Sequence, residues 1–137
     1  MINQTTTEDG SQNAARTAEF QRSLLQRAGG ALTVEQVRSL LGCDSGRSVR
    51  EAVVARRLIA MDVAGIELFP AFQFDKDDVA PGIALVLSEA PNTSPWAILQ
   101  FFVEGDEALG DDLPMDLIKR GPDEIARAAR FARTLEY

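Results

Sequence analysis

Residues 33–70 run through two short helical patterns and then two β-rich runs, and each change of pattern is marked by a turn residue. Thr33 with Gln36 has the spacing of a capping box, in which each side chain satisfies the other residue's orphan N–H at a helix start. Val34, Val37, Leu40 and Leu41 then recur at helical spacing, and Gly42 ends the segment. Cys43-Asp44-Ser45 reads as a turn. Ser45 is placed to cap a second helix over Gly46–Arg57, with Val49, Ala52 and Val53 turned inward. Leu58–Val63 and Ile66–Phe69 flank Ala64-Gly65, a two-residue link that predicts a hairpin, and Pro70 stops the second strand. Helix, turn, helix and hairpin in this order predict a helix-turn-helix with a β-hairpin wing.

The rest of the chain reads as helical. Residues 1–13 are polar and are expected to form a disordered tail. A first helix is expected over Ala14–Arg27, with Phe20, Leu24 and Ala28 on one face, ended by Gly29-Gly30. Beyond Pro70, Asp77 or Asp78 is placed to cap a helix through Ala90 whose core face is Val79, Ile83, Val86 and Leu87, with Pro81 in its first turn. Ser94-Pro95 pairs a cap with an N1 proline and opens a helix over Trp96–Val103. Pro114 starts a short helix to Lys119, and Gly121-Pro122-Asp123-Glu124 starts the last, with its acids where the helix dipole favours them. Its apolar face is Ile125, Ala128, Ala129 and Ala132. The expected fold is therefore mainly α: a winged helix-turn-helix unit over residues 14–70, followed by a small helical partner-binding module over residues 71–137.

Composition excludes much chemistry. The chain has no histidine and one cysteine, Cys43, which rules out histidine-based catalytic triads, histidine metal sites and an intrachain disulfide. No constellation of carboxylates, lysine or thiol suggests catalysis, so no enzyme activity, cofactor or metal is expected. The acids Glu104, Asp106, Glu107, Asp111 and Asp112 lack calcium-loop spacing and read as a solvated loop. No apolar run spans a bilayer, and the N-terminus has no signal-peptide pattern, so a cytoplasmic location without membrane contact is expected. The net charge of −7 is uneven: residues 71–137 carry thirteen acids and six bases, whereas residues 31–70 carry five of each. The acidic half suits either a solvated surface or a basic partner.

Within the neutral middle, residues 47–57 hold four arginines against one glutamate, a local basic patch. In a helix-turn-helix the second helix enters the major groove, so Arg47, Ser48 and Arg50 are the candidates for base edges, and Arg56 and Arg57 for phosphates. The plainer reading is an exposed helix with solvated arginines, or a winged unit that binds protein. A monomer would neutralise few phosphates, which favours a homodimer. Cys43 reads as a small hydrophobe filling the turn rather than a redox sensor. Phe69, Phe72, Phe74 and Trp96 read as core joining the hairpin to the following helices, and Phe101-Phe102 as helix core.

The C-terminal half carries a further pattern. Residues 95–102 (PWAILQFF), Ala108-Leu109-Gly110, residues 113–118 (LPMDLI), Gly121 and the alanine-rich residues 124–129 together resemble the toxin-binding domain of Xre/MbcA/ParS-type antitoxins. Residues 68–75 (LFPAFQFD) are similar to the linker in members with a winged unit ahead of that domain. The resemblance covers about residues 31–137. It implies DNA autoregulation joined to capture of a RES-type, NAD-consuming toxin, with Leu109, Gly110, Pro114, Leu117, Gly121 and the last helix facing that partner. The chain departs from the family in its winged N-terminal unit and in Gly110-Asp111-Asp112-Leu113, where members carry a basic "GGRT"-like run. A stand-alone transcriptional regulator and a protein-interaction adaptor remain the alternatives to an antitoxin.

Overall fold

The computed structural model describes the backbone of residues 2–135 and the side chains of residues 14–135. It is mostly helical with a small antiparallel sheet. The α-helices are α1 (Ile2–Arg27), α2 (Val34–Leu41), α3 (Gly46–Val54), α4 (Ile83–Glu89), α5 (Pro95–Glu104), α6 (Pro114–Leu117) and α7 (Pro122–Ala132). The strands are β1 (Ala31–Thr33), β2 (Met61–Val63), β3 (Ile66–Pro70), β4 (Phe74–Asp75) and β5 (Asp78–Val79).

Helix α1 begins at Ile2 rather than Ala14, so the backbone of the expected polar tail is helical; its side chains lie outside the described residues. No proline interrupts residues 2–27, and polar residues cost a helix only a few tenths of a kcal/mol each. The buried face is Leu24, Leu25 and Ala28, while Phe20 is 45% exposed. The helix closes through Gly29 at φ +88°, with Gly30 N–H bonded to Leu25 O and Gly29 N–H to Gln26 O, a Schellman arrangement.

The capping box at Thr33 is present in both directions: Gln36 N–H donates to Thr33 Oγ1 at 3.2 Å, and Thr33 N–H donates to Gln36 Oε1 at 2.9 Å. Strand β1, which ends on that cap residue, is absent from the sequence reading. It pairs with β3, giving the antiparallel order β1-β3-β2, with Leu32 opposite Phe69 and Met61 opposite Leu68. The β2–β3 link is Ala64-Gly65, both at positive φ, as a tight hairpin turn requires, and Gly65 N–H donates to Asp62 Oδ1.

Other expected helix boundaries also move, α6 ending at Leu117 rather than Lys119. Helix α3 stops at Val54 instead of Arg57, because Arg56 takes φ +59° and Arg57 N–H turns back to Ala52 O. Helix α4 starts at Ile83; residues 77–79 instead form part of a second hairpin, β4–β5, in which Phe74 lies opposite Val79. Pro81 explains the change, since it disfavours helical backbone at Ala80. Ala80 N–H extends the pairing to Gln73 O at 2.7 Å.

The buried residues form two clusters. The smaller one gathers Val37, Val49, Leu58, Phe69 and Phe74 beneath α2, α3 and the sheet. The larger gathers α4, α5, α6 and α7 with Leu24 and Leu25 of α1, Ala28 just after it, and Ile59, Met61 and Phe72. Phe72 packs on Phe102 with ring centroids 4.7 Å apart. Thus α1, although first in the chain, buries its apolar face with the C-terminal helices, and Arg27 pairs with Glu104 of α5 at 3.2 Å. Phe69, Phe72, Phe74, Phe101 and Phe102 are buried and Trp96 half-buried. No helix among the described residues is long and apolar enough to cross a membrane.

Candidate nucleic-acid interface

The two faces of α3 differ in kind. Val49 is buried, and Ala52 and Val53 pack against the smaller core. Arg47, Ser48 and Arg50 are exposed around the rest of its circumference, and the Arg47 and Arg50 side chains are 87% and 70% accessible. Each arginine has a carboxylate partner. Arg47 Nε lies 3.3 Å from Glu51 Oε1 one turn along, and Arg50 Nη2 lies 3.6 Å from Glu67 Oε1 on β3. The basic patch is therefore largely neutralised from within. Exposed pairs of this kind are held weakly and are readily exchanged for another anion.

Arg56, expected to meet phosphates, is engaged within the protein. Its guanidinium donates to Leu87 O at 3.2 and 3.0 Å and to Ala90 O at 2.7 Å, where α4 ends. Both carbonyls also accept backbone N–H bonds, Leu87 O from Ala90 and Ala90 O from Thr93, so Arg56 adds charge-assisted bonds at the negative end of the α4 dipole. These bonds hold Arg56 in its left-handed conformation and fasten α3 to α4. Arg56→Ala is expected to destabilise the protein by about 1.5–3 kcal/mol, the scale of hydrogen bonds to a charged group, and urea denaturation measures it. Arg57 is exposed and has no ion pair or hydrogen bond from its side chain among the described residues.

No family model, curated protein or solved structure matches the chain. Its function must therefore be argued from its own residues.

The five residues expected to face a partner do not form one surface. Leu109, Pro114 and Leu117 are buried: Leu109 and Leu117 belong to the larger core, and Pro114 is the first residue of α6. Gly110 is exposed and Gly121 half-exposed, and both hold positive φ, +66° and +122°. Their shared role is to turn the chain around α6.

The acidic loop is also folded back on its own helices. Asp112 accepts from Arg127 at 2.9 Å and from Arg120 at 3.3 Å, and Arg127 donates to Leu109 O. The Arg127 and then the Arg120 bonds hold the Asp112 carboxyl below the usual carboxylate range, and the same contact raises Arg127. A carboxyl depressed by folding contributes stability above its unfolded value of roughly pH 4, and that stability is lost as pH falls through the folded value. Asp112→Asn is therefore expected to flatten the acid limb of stability below roughly pH 4 while leaving its slope near neutrality unchanged; urea midpoints taken across pH check this.

Cys43 is half-buried and packs against the smaller core, as a small hydrophobe would. Among the described residues no group of acids or cysteine is arranged to hold a metal ion. Sequence reasoning missed Gln73, which is fully buried, and Glu67, the β3 partner of Arg50. A polar residue between Phe72 and Phe74 was the available signal for Gln73; nothing local marked Glu67.

Proposed function

We propose that the chain is a DNA-binding regulator whose residues 31–70 act as a winged helix-turn-helix, with α3 as the recognition helix and β2–β3 as the wing. The observation that carries this reading is the exposure of the start of α3: Arg47, Ser48 and Arg50 are open to solvent beside an antiparallel hairpin, the two arginines held only by exposed ion pairs, on a helix anchored by Val49. The chain order β1-α2-α3-β2-β3 and sheet order β1-β3-β2 support it, since they brace the hairpin against the strand that precedes α2. Arginine reads guanine through paired bonds, and serine bonds a base or a phosphate. On binding, Arg47 and Arg50 exchange Glu51 and Glu67 for the nucleic acid. Affinity per protomer is modest because few phosphates are engaged, and a homodimer on two half-sites compensates.

Fluorescence anisotropy with duplex DNA across a salt series tests the proposal. Arg47→Ala and Arg50→Ala are each expected to weaken binding roughly 5- to 100-fold. Glu67→Gln is expected to tighten binding, because it frees Arg50 and removes a charge that repels phosphate. Wild-type affinity in both arginine variants would refute the assignment of α3.

On the sequence resemblance, we extend this reading to an antitoxin that represses its own promoter and neutralises a RES-type toxin. Its partner surface is then the exposed turn at Gly110-Asp111 and the outer side of α7, since Leu109, Pro114 and Leu117 are occupied in packing. Co-purification with the product of the adjacent reading frame, with NAD consumption as readout, tests the extension. A protein-docking role for the winged unit has one observation in its favour: Val54 and Ile66 are 77% and 60% exposed.

A further inference from the structure

The seam between the two cores opens into a groove of about 530 Å³, within the range of small-molecule sites. Its apolar lining comes from Leu41, Ala52, Leu58, Val79, Ala80 and Ala84, so the α2–α3 unit forms one wall and β5–α4 the other. The polar lining includes Arg57, Asp78, Glu51 and Ser48. Glu51 is engaged by Arg47. Arg57 makes no ion pair or hydrogen bond through its side chain among the described residues, and Asp78 uses one carboxylate oxygen on Val79 N–H at 2.7 Å. One groove thus holds a free cation and a half-used anion that do not pair with each other.

This arrangement selects among ligands. A simple anion would meet Arg57 but also the carboxylates of Glu51 and Asp78. A simple cation would meet Asp78 but also Arg57, and Glu51 is already engaged by Arg47. An uncharged apolar ligand would desolvate both charges without replacing their water, which is costly. We infer that the groove binds a small zwitterion with an apolar body, of amino-acid to dipeptide size, its carboxylate on Arg57, its ammonium on Asp78 and its side chain on the apolar lining. Binding stands independently of the DNA reading. One consequence rests on that reading: a ligand touching Ser48 and Glu51 couples the groove to Arg47 on the same helix.

Titration of the full ¹⁵N-labelled chain, without DNA, with phenylalanine and leucyl-phenylalanine tests the inference. Saturable shifts at Cys43, Ala52, Val79 and Ala84 are expected. N-acetyl and C-amide forms, which each lack one charge, are expected to bind at least about tenfold more weakly, as are the variants Arg57→Ala and Asp78→Asn. Both variant side chains are exposed, so the fold is retained. Absence of saturable shifts up to about 10 mM, or equal binding by the blocked forms, overturns the inference. Because no DNA is present, neither result depends on whether α3 binds a duplex.

Discussion

Gly82→Ala is expected to destabilise the protein by about 3 kcal/mol or more, at the upper end of what overpacking a core costs. A Cβ at this position would lie 2.7 Å from Ile118 Cβ, 2.8 Å from Cγ2 and 2.9 Å from Cα. Ile118 is fully buried just after α6, and Gly82 caps α4, so the contact is where α4 meets the end of α6. Side-chain rotation gives no relief, because Cα and Cβ move only with the backbone. The double variant Gly82→Ala, Ile118→Ala therefore keeps the clash and adds a cavity. Urea denaturation should show no rescue in that double variant. Near-wild-type stability in the single variant would mean that the two segments are not so closely apposed.

Gln73→Leu is expected to cost about 3–5 kcal/mol, because it strands three buried backbone groups at about 1–3 kcal/mol each, offset in part by the apolar replacement. Gln73 is fully buried. Its Oε1 accepts from Ile59 N–H at 2.8 Å, and its Nε2 donates to Ile59 O at 2.9 Å and to Pro70 O at 3.1 Å. One amide thereby replaces a missing strand partner for Ile59, in the stretch between α3 and β2. Gln73→Glu is no substitute: a carboxylate still accepts from Ile59 N–H but faces two carbonyls with no proton to give. Thermal and urea unfolding of both variants measure the loss, and stability equal to the wild type would show that water reaches these groups.

Much of the fold was legible where side chains and backbone signals agree. The Thr33–Gln36 box, the Ser94-Pro95 cap, the Ala64-Gly65 turn and the apolar face of α7 all appear where their chemistry puts them. Illegible features depended on distant partners. The stop of α3 falls on an arginine in the left-handed region, where glycine is the usual signal; Arg56 is held there by carbonyls more than thirty residues away. Strand β1 has only three residues and is defined by β3, so no periodicity announces it. Asp77 and Asp78 look like caps for α4, whereas Pro81 disfavours helical backbone at Ala80 and the helix starts beyond it, at Ile83.

The candidate site divides in the same way. The sequence singles out Arg47, Ser48 and Arg50 as the early residues of the second helix, and all three are exposed. It did not foresee that Glu51 and Glu67 would neutralise the arginines, or that Arg56 belonged to α4. Leu109, Pro114 and Leu117 were assigned to a partner by resemblance. Apolar residues around a short helix are equally what a small core needs, and burial decides between the two.

The central claim is that α3 and its neighbouring hairpin meet DNA. Titrating the ¹⁵N-labelled chain with a duplex selected by the protein from a random library tests it most directly. The account predicts salt-sensitive amide shifts concentrated at residues 46–51 and 62–67, absent in an Arg47→Ala, Arg50→Ala double variant. Failure to select any duplex, or shifts confined to α7 and the acidic loop, would contradict it.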